Sequence, residues 1–406
     1  MNTEMGRLYE KLSHFRLTWE VENPIMKKRR MDIMKIELQR IPTDFKGEYC
    51  YTHARAGYRP DGFAIITTQP LRLSGSDIFY GMQMLKSVDG GKTWSDIMPC
   101  ANLTRLPWGN EPGAEHVFSD ATPFYHKATG KMILTGHNAV YLNDELYPSP
   151  RPRNTVWSVY REEAGDWTPF KALPMPEDQQ NRYFSCGSGS GQILELDNGE
   201  LLIPVYYMSR ELVKDPWHNS LSAAVLRCSF DGEDIRVLEI GNSLTVPVPR
   251  GLCEPSATAH QGRYFLALRN DEDGYVSRGV DGLHYEDPVP LCFDDGTSVG
   301  NYCTQQHWIN GGGKLWMVYT RRGANNDHVF RHRAPLFIAE FDPEGMCVIR
   351  DTEQIAVPER GARLGNFGCV HINDQESWVV VSEWMQPIGC EKYGSDNTIF
   401  VSKITF

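Results

Sequence analysis

Hydrophobic and polar positions along the chain repeat one arrangement. A tight turn rich in Gly, Asn or Asp precedes a run of apolar, β-branched and aromatic residues, and this unit occurs six times. It reads Pro60-Asp61-Gly62 before FAIITTQ, Ala128-Thr129-Gly130 before KMILTGHN, and Asp197-Asn198-Gly199 before ELLIPVYY. It continues as His260-Gln261-Gly262 before RYFLALRN, Gly311-Gly312-Gly313 before KLWMVYTRR, and Asn373-Asp374-Gln375 before ESWVVVSEW. Gly, Asn and Asp supply the positive φ of a hairpin turn, and runs of this composition form strands.

Counted from the third turn residue of each unit, the steps are 68, 69, 63, 51 and 62 residues. A step of that size holds four strands and their loops, the content of one propeller blade. The pattern therefore predicts an all-β fold, a six-bladed β-propeller over residues 46–406. Residues 1–45 lie outside the repeat as an N-terminal extension, in which Leu8, Leu12, Phe15 and Leu17 fit either one helix face or an edge strand.

Composition narrows the function classes. The chain has 406 residues, 41% hydrophobic and 23% charged, as ordinary globular proteins do. Its formal net charge of −11 argues against nucleic acid as a partner, because such binding rests on phosphate neutralisation. A basic pocket inside an acidic shell stays compatible with that charge. The cationic run Lys27-Lys28-Arg29-Arg30 reads as a solvated face. No apolar stretch reaches about 18 residues, so no membrane partner is expected. No secretory signal is read at the N-terminus, which points to the cytoplasm and to reduced thiols. The ten cysteines are scattered without C-x-x-C spacing, so neither a metal nor an organic cofactor is expected.

Between the hairpins stands a second signal. Residues Ser87-Val88-Asp89-Gly90-Gly91-Lys92-Thr93-Trp94 fit S-x-D-x-G-x-T-W, with weaker echoes at Ser229-Phe230-Asp231-Gly232 and Val280-Asp281-Gly282. The Ser and Asp side chains can hold turn amides, and the Trp can pack between sheets. This motif resembles the Asp-box (BNR repeat) of the sialidase superfamily, and the resemblance spans residues from about 50 to 385.

The resemblance implies a sugar site. Sialidases grip the substrate carboxylate with three arginines, and Arg55, Arg269 and Arg333 resemble these, although the family's R-I-P reads Arg55-Ala56-Gly57 here. Glu254, in Cys253-Glu254-Pro255-Ser256, resembles the glutamate that assists the nucleophile. Asp77 matches the acid/base, Asp120 a substrate-contacting aspartate, and Glu383 the clamp on the first arginine. The place of the nucleophilic Tyr reads Gly365-Asn366-Phe367-Gly368, and a Phe has no hydroxyl for a covalent intermediate. The resemblance thus implies an exo-acting glycoside hydrolase on a terminal acidic sugar (sialic, ulosonic or uronic) of an oligosaccharide or glycoconjugate, with a different nucleophile.

Two other readings fit the same residues. One is a lyase that neutralises a uronate carboxylate with arginine and removes the C5 proton with His307, Tyr302 or His328. His53 and His116 also lie beside strand runs. The other is a propeller that binds carbohydrate without turning it over. The glycine-rich Cys186-Gly187-Ser188-Gly189-Ser190-Gly191 has no Lys-Ser/Thr after it and reads as a loop that brings backbone close to the pocket.

Overall fold

The computed structural model describes residues 34–75, 77–148, 151–212 and 221–406. The helix-or-strand alternative at Leu8–Leu17 and the cationic run at Lys27–Arg30 lie outside the described residues. Residues Lys35–Phe406 form one compact unit.

The fold is all-β, a propeller-like ring of sheets. Each of the six predicted runs is a strand: Ala64–Arg72, Lys131–Leu142, Leu201–Met208, Arg263–Arg269, Lys314–Tyr319 and Glu376–Ser382. Each pairs antiparallel with the strand before it, across the turn that the sequence pattern marks. Contacts run from Tyr49–Tyr58 to Ala114–His126, and from Leu201–Met208 through Cys253–His260 and His307–Gly311 to Gly368–Asn373. That last strand packs against Tyr49–Tyr58 again, and Lys131–Leu142 meets Ser185–Gly187, so the ring is closed.

Two expectations need correction. The sheets are uneven, with four strands in three of them, five in two and seven in one. Extra short strands such as Glu145–Leu146 and Gln354–Val357 come from loops longer than a four-stranded blade needs. In addition, part of the segment set outside the propeller belongs to a sheet. Lys35–Ile41 pairs antiparallel with Ile399–Thr405, from Lys35 opposite Thr405 to Ile41 opposite Ile399. Hydrogen bonding between the two ends of the unit fastens the ring.

The core lies between neighbouring sheets. Ile133, Trp157 and Leu201 pack with Ile203, Val205 and Leu226 between two of them. Phe265, Val276, Trp308, Met317 and Phe341 do so between another two. A sheet covered on both faces needs strands that are apolar throughout, which is why Leu201–Met208 is buried at every position. The Ser87–Trp94 loop is a turn held by its own side chains. Asp89 accepts from the Lys92 and Thr93 amides, both at 3.0 Å, and Ser87 Oγ accepts from the Gly91 amide at 2.9 Å. Its half-buried Trp94 stacks edge-on to Trp378 at 6.3 Å, tying this loop to the last sheet.

Candidate functional site

A cavity of about 830 Å³ opens within the ring. Its wall begins with backbone geometry. In the first, second and fourth sheets the register slips on the inner pair of strands, between Thr52 and Arg55, Ser119 and Thr122, and Cys253 and Ser256. The displaced residues His53, Asp120 and Glu254 have left-handed φ of 57°, 53° and 46°. Such bulges re-aim a side chain away from the pleat, and all three line the cavity. Ser190, Cys303 and Asn366, at the heads of the other sheets, have φ of 60°, 56° and 67°. These six residues follow one another at steps of 67, 70, 64, 49 and 63 residues, close to those of the hairpins. Each costs on the order of 1–2 kcal/mol of backbone strain, a cost that recurs around one cavity.

On one side of the wall Asp120 lies between two histidines. Nδ1 of His53 is 3.3 Å from Oδ1 of Asp120, and Nε2 of His137 is 3.6 Å from Oδ2. Ser190 Oγ donates to Asp120 at 2.7 Å. Burial opposes ionisation of Asp120, yet His53, His137, Arg55 and Ser190 outweigh it and hold the carboxyl well below the usual range. Burial lowers His53 to about 4 and His137 to about 3, so both rings are neutral at physiological pH. The Asn366 amide donates to Nε2 of His53 at 2.8 Å, which places the ring proton on Nδ1, toward Asp120. Glycine makes this crowding possible. A Cβ at Gly189 would stand 2.0 Å from His137 Nδ1, so the glycine loop does bring backbone against the pocket wall.

The other side is cationic. Seven arginines line the cavity (Arg151, Arg153, Arg250, Arg269, Arg331, Arg333 and Arg363) against three carboxylates, Asp77, Asp120 and Glu254. Arg269 donates to Glu254 Oε1 and Arg250 to Asp271 at 2.9 Å. Burial works against the Arg269 charge, but Glu254 outweighs it and holds the group well above its ordinary value. Arg333 and Arg363 differ. Arg333 donates to the Cys303 carbonyl, and Arg363 to Gln386 Oε1 at 3.2 Å over the Trp384 ring at 4.1 Å. Neither has a carboxylate within ion-pair distance among the described residues. Burial and then each neighbouring arginine lower Arg333 to about 10 and Arg363 to about 9. Their Nε atoms are buried without a hydrogen-bond partner among the described residues. A desolvated cation of this kind is completed by an anion.

Of the residues singled out in the sequence, Asp77, Asp120, Glu254, Arg269, Arg333 and His53 meet on this wall, while Tyr302, His328 and His116 are not part of it. Asp77 has a left-handed φ of 53°, and its carbonyl accepts from Tyr141 Oη at 2.9 Å. Its carboxylate lies within electrostatic reach of His53, Arg151 and Arg363.

Four more residues stand elsewhere. Arg55 is fully buried behind the wall, with Nε on the Phe367 carbonyl at 3.0 Å, Nη1 on the Ala121 carbonyl at 3.3 Å and Nη2 on Ser190 Oγ at 2.7 Å. With those donors spent on the framework, it cannot grip a ligand from there. Glu383 does not clamp Arg55. It accepts from the Asp396 and Thr398 amides at 2.9 and 3.1 Å and lies 3.5 Å from Arg360. Burial pushes its carboxyl up to about 7. His307 is also off the wall, with Nδ1 on Ser256 Oγ at 2.8 Å and Nε2 on the Phe367 carbonyl at 3.0 Å. Burial lowers it to about 3, and both nitrogens are engaged, so it cannot serve as the base. Phe367 is fully buried, edge-on to His307 at 4.8 Å, while its neighbour Asn366 takes the place on the wall.

Sequence reasoning missed Arg363, His137, Arg151, Arg153 and Tyr206. Tyr206 is the one tyrosine on the wall among the described residues, and no described residue hydrogen-bonds its hydroxyl. Burial, followed by the Glu254 charge among the groups that raise it, pushes its phenol up. Tyr206 is the penultimate residue of the run ELLIPVYY, which reads only as a buried strand. No described group of His, Cys, Asp and Glu is placed to hold a metal ion, and no helix there is long and apolar enough to cross a membrane.

No protein-family model matches the chain, and no curated protein matches it in sequence. Solved structures do match. A protein of unknown function from Dyadobacter fermentans superposes with a TM-score of 0.63 at 13% identity, covering 91% of this chain and 99% of that one. A Hadza microbial sialidase gives 0.57 at 12%, covering 88% of this chain and 66% of its own. A Trypanosoma rangeli sialidase gives 0.55 at 12%, covering 90% and 59%. This chain therefore spans under two thirds of either sialidase. A leech intramolecular trans-sialidase, solved with 2,7-anhydro-Neu5Ac, gives 0.55 at 13%, covering 89% and 70%. The likeness establishes the fold: an all-β, propeller-like ring of sheets of the kind on which sialidases are built.

Proposed function

We propose that the protein is a sialidase-type glycosidase that binds a terminal sugar acid by its carboxylate and cleaves the glycosidic bond beside it. The observation that carries this reading is the pair Arg333 and Arg363. Both are buried guanidinium groups on a cavity wall, and neither has a carboxylate partner among the described residues. A planar carboxylate matches the donor fork of arginine and supplies the missing charge. Arg269, held in place by Glu254, completes a three-arginine grip in which Arg363 takes the place first expected of Arg55.

Asp77 is the proton donor in this reading. It would protonate the glycosidic oxygen as the bond to the anomeric carbon breaks, and the leaving sugar departs as an alcohol. The anomeric carbon is then attacked directly by water, or by the Tyr206 oxygen with its proton passing to Glu254. In the second case water, giving its proton to the Asp77 carboxylate, then displaces the tyrosine, which regains its proton from Glu254. Asp120, charged between neutral histidines, would accept hydrogen bonds from sugar hydroxyls. The elimination mechanism loses support because His307 is outside the cavity with both nitrogens engaged.

An activity screen over acidic oligosaccharides, followed by NMR of the anomer first released, tests the reading. Release of a free sugar acid supports it. An unsaturated uronate product would make the enzyme a lyase, and binding without any turnover would make it a carbohydrate-binding propeller.

A further inference from the structure

We propose that the cavity holds a second anion subsite, formed by Arg151 and Arg153, which takes an anionic group on the unit that leaves from the sugar acid. The substrate class is then a glycoside charged on both sides of the bond that breaks. This rests on the role given above to Asp77.

Many arginines outside the cavity stand beside carboxylates. Arg72 has Asp144 and Glu145, Arg321 has Glu353, and Arg350 has Asp295, at 2.6–2.9 Å. Arg151 and Arg153 line the cavity and have no carboxylate within ion-pair distance among the described residues. In a chain with a net charge of −11, two adjacent unpaired arginines on a cavity wall are unusual company.

Arg153 occupies a built position. Its backbone bridges Ser185 in parallel, and its carbonyl accepts from the Cys186 amide at 2.9 Å. A Cβ at Gly187 would stand 2.7 Å from its Cδ, so the glycine clears the path of the side chain. Its guanidinium then lies over the Tyr206 ring at 5.0 Å. Arg151 is an exposed residue whose guanidinium loses part of its water at the cavity wall, and that desolvation and then Arg153 weaken its hold on its proton. An anion between the two would relieve both effects.

The position relative to the chemistry gives the subsite its meaning. Asp77 is within electrostatic reach of Arg151 and also of Arg363, which belongs to the carboxylate grip. A bond protonated by Asp77 therefore has the sugar acid toward Arg363 and the departing unit toward Arg151 and Arg153. A sulfate or carboxylate on that unit would be paired by arginine donors.

Calorimetry on the Asp77→Asn protein tests this, with sialyllactose and the same trisaccharide carrying a sulfate ester on its galactose. The sulfated form should bind about tenfold tighter, the worth of a charge-assisted contact. The double replacement Arg151→Ala with Arg153→Ala should erase that advantage and leave the affinity for plain sialyllactose unchanged. Arg333→Ala should weaken both ligands alike. Equal binding of the two ligands, or an advantage that survives the double replacement, overturns the subsite. If the alanine pair does not fold, glutamine at both positions keeps the stems and serves instead.

Failure of the sugar-acid reading looks different, since neither trisaccharide would bind. Inorganic sulfate then decides. It should bind the Arg333→Ala/Arg363→Ala protein and lose that binding when Arg151 and Arg153 are replaced too. No sulfate binding in the first protein, or undiminished binding in the second, overturns the subsite on its own.

Discussion

The guanidinium groups of Arg269 and Arg333 converge on Cys303, their Nη2 atoms 3.7 Å and 3.9 Å from its sulfur. Arg269 also holds Glu254, whereas Arg333 holds no carboxylate among the described residues. Both carboxylates near this pair, Glu254 and Asp271, stand on the Arg269 side, and Arg363 adds a third cation nearby. The surplus is tolerable in water-filled space and is satisfied by an anionic ligand.

Arg333→Ala and Arg363→Ala should each weaken binding of a sugar acid by about 2–5 kcal/mol, because the ligand charge would be left desolvated. Neither change should unfold the protein. Arg363→Ala should keep or raise Tm, since burial and Arg333 already disfavour its charge. Calorimetry and thermal melts check both halves. A lower Tm with unchanged binding would mark Arg363 as structural.

Asp77→Asn should cut turnover by about 10²–10⁴-fold and leave binding intact. Asn tolerates the left-handed φ of this position, so the backbone need not move. Tyr206→Phe should lower kcat without changing the Kd of the sugar acid. An unchanged kcat assigns the attack to water.

Phe367→Tyr should destabilise the fold by about 1–3 kcal/mol and add no activity. The new hydroxyl would enter a dry site beside His307, whose nitrogens already have partners. Urea denaturation measures the loss. A gain of glycosidase activity would show that this ring can reach the cavity after all.

Stability should fall on the acid side of neutrality. His53, His137 and His307 have folded values of about 4, 3 and 3 against an ordinary 6.5. Below 6.5 the unfolded chain takes protons that the folded protein refuses, so their contribution is lost as pH falls toward 4. Glu383 acts the other way. Its folded value of about 7 against 4.5 makes the folded state the better proton binder between those values, which stabilises it as pH falls. Denaturation at a series of pH values should show a shallower acid decline in His307→Gln and a steeper one in Glu383→Gln. Parallel curves for all three proteins would contradict these environments.

The fold was legible because its signal is local. A hairpin turn and the apolar run after it are written in adjacent residues, and all six runs became strands. Lys35–Ile41 escaped because its partner, Ile399–Thr405, lies at the other end of the chain and no turn joins them. The site was legible only in part. Resemblance picked out Asp77, Asp120, Glu254, Arg269 and Arg333, which line the cavity, and Arg55 and Glu383, which do not; His307, read as a candidate base, does not line it either. What aims His53, Asp120, Glu254 and Asn366 at the cavity is a left-handed backbone conformation, which recurs behind the wall at Ser190 and Cys303. Those six share no residue type, so a search for repeated residues passes over them. Arg363 sits in a loop, without any apolar period to mark it.

The most direct test of the central claim is a calorimetric titration of N-acetylneuraminic acid against its methyl ester, which keeps the sugar and removes the charge. The account predicts that the acid binds, that the ester binds at least tenfold more weakly, and that Arg333→Ala erases the difference. Equal binding of acid and ester to the unmodified protein would contradict it.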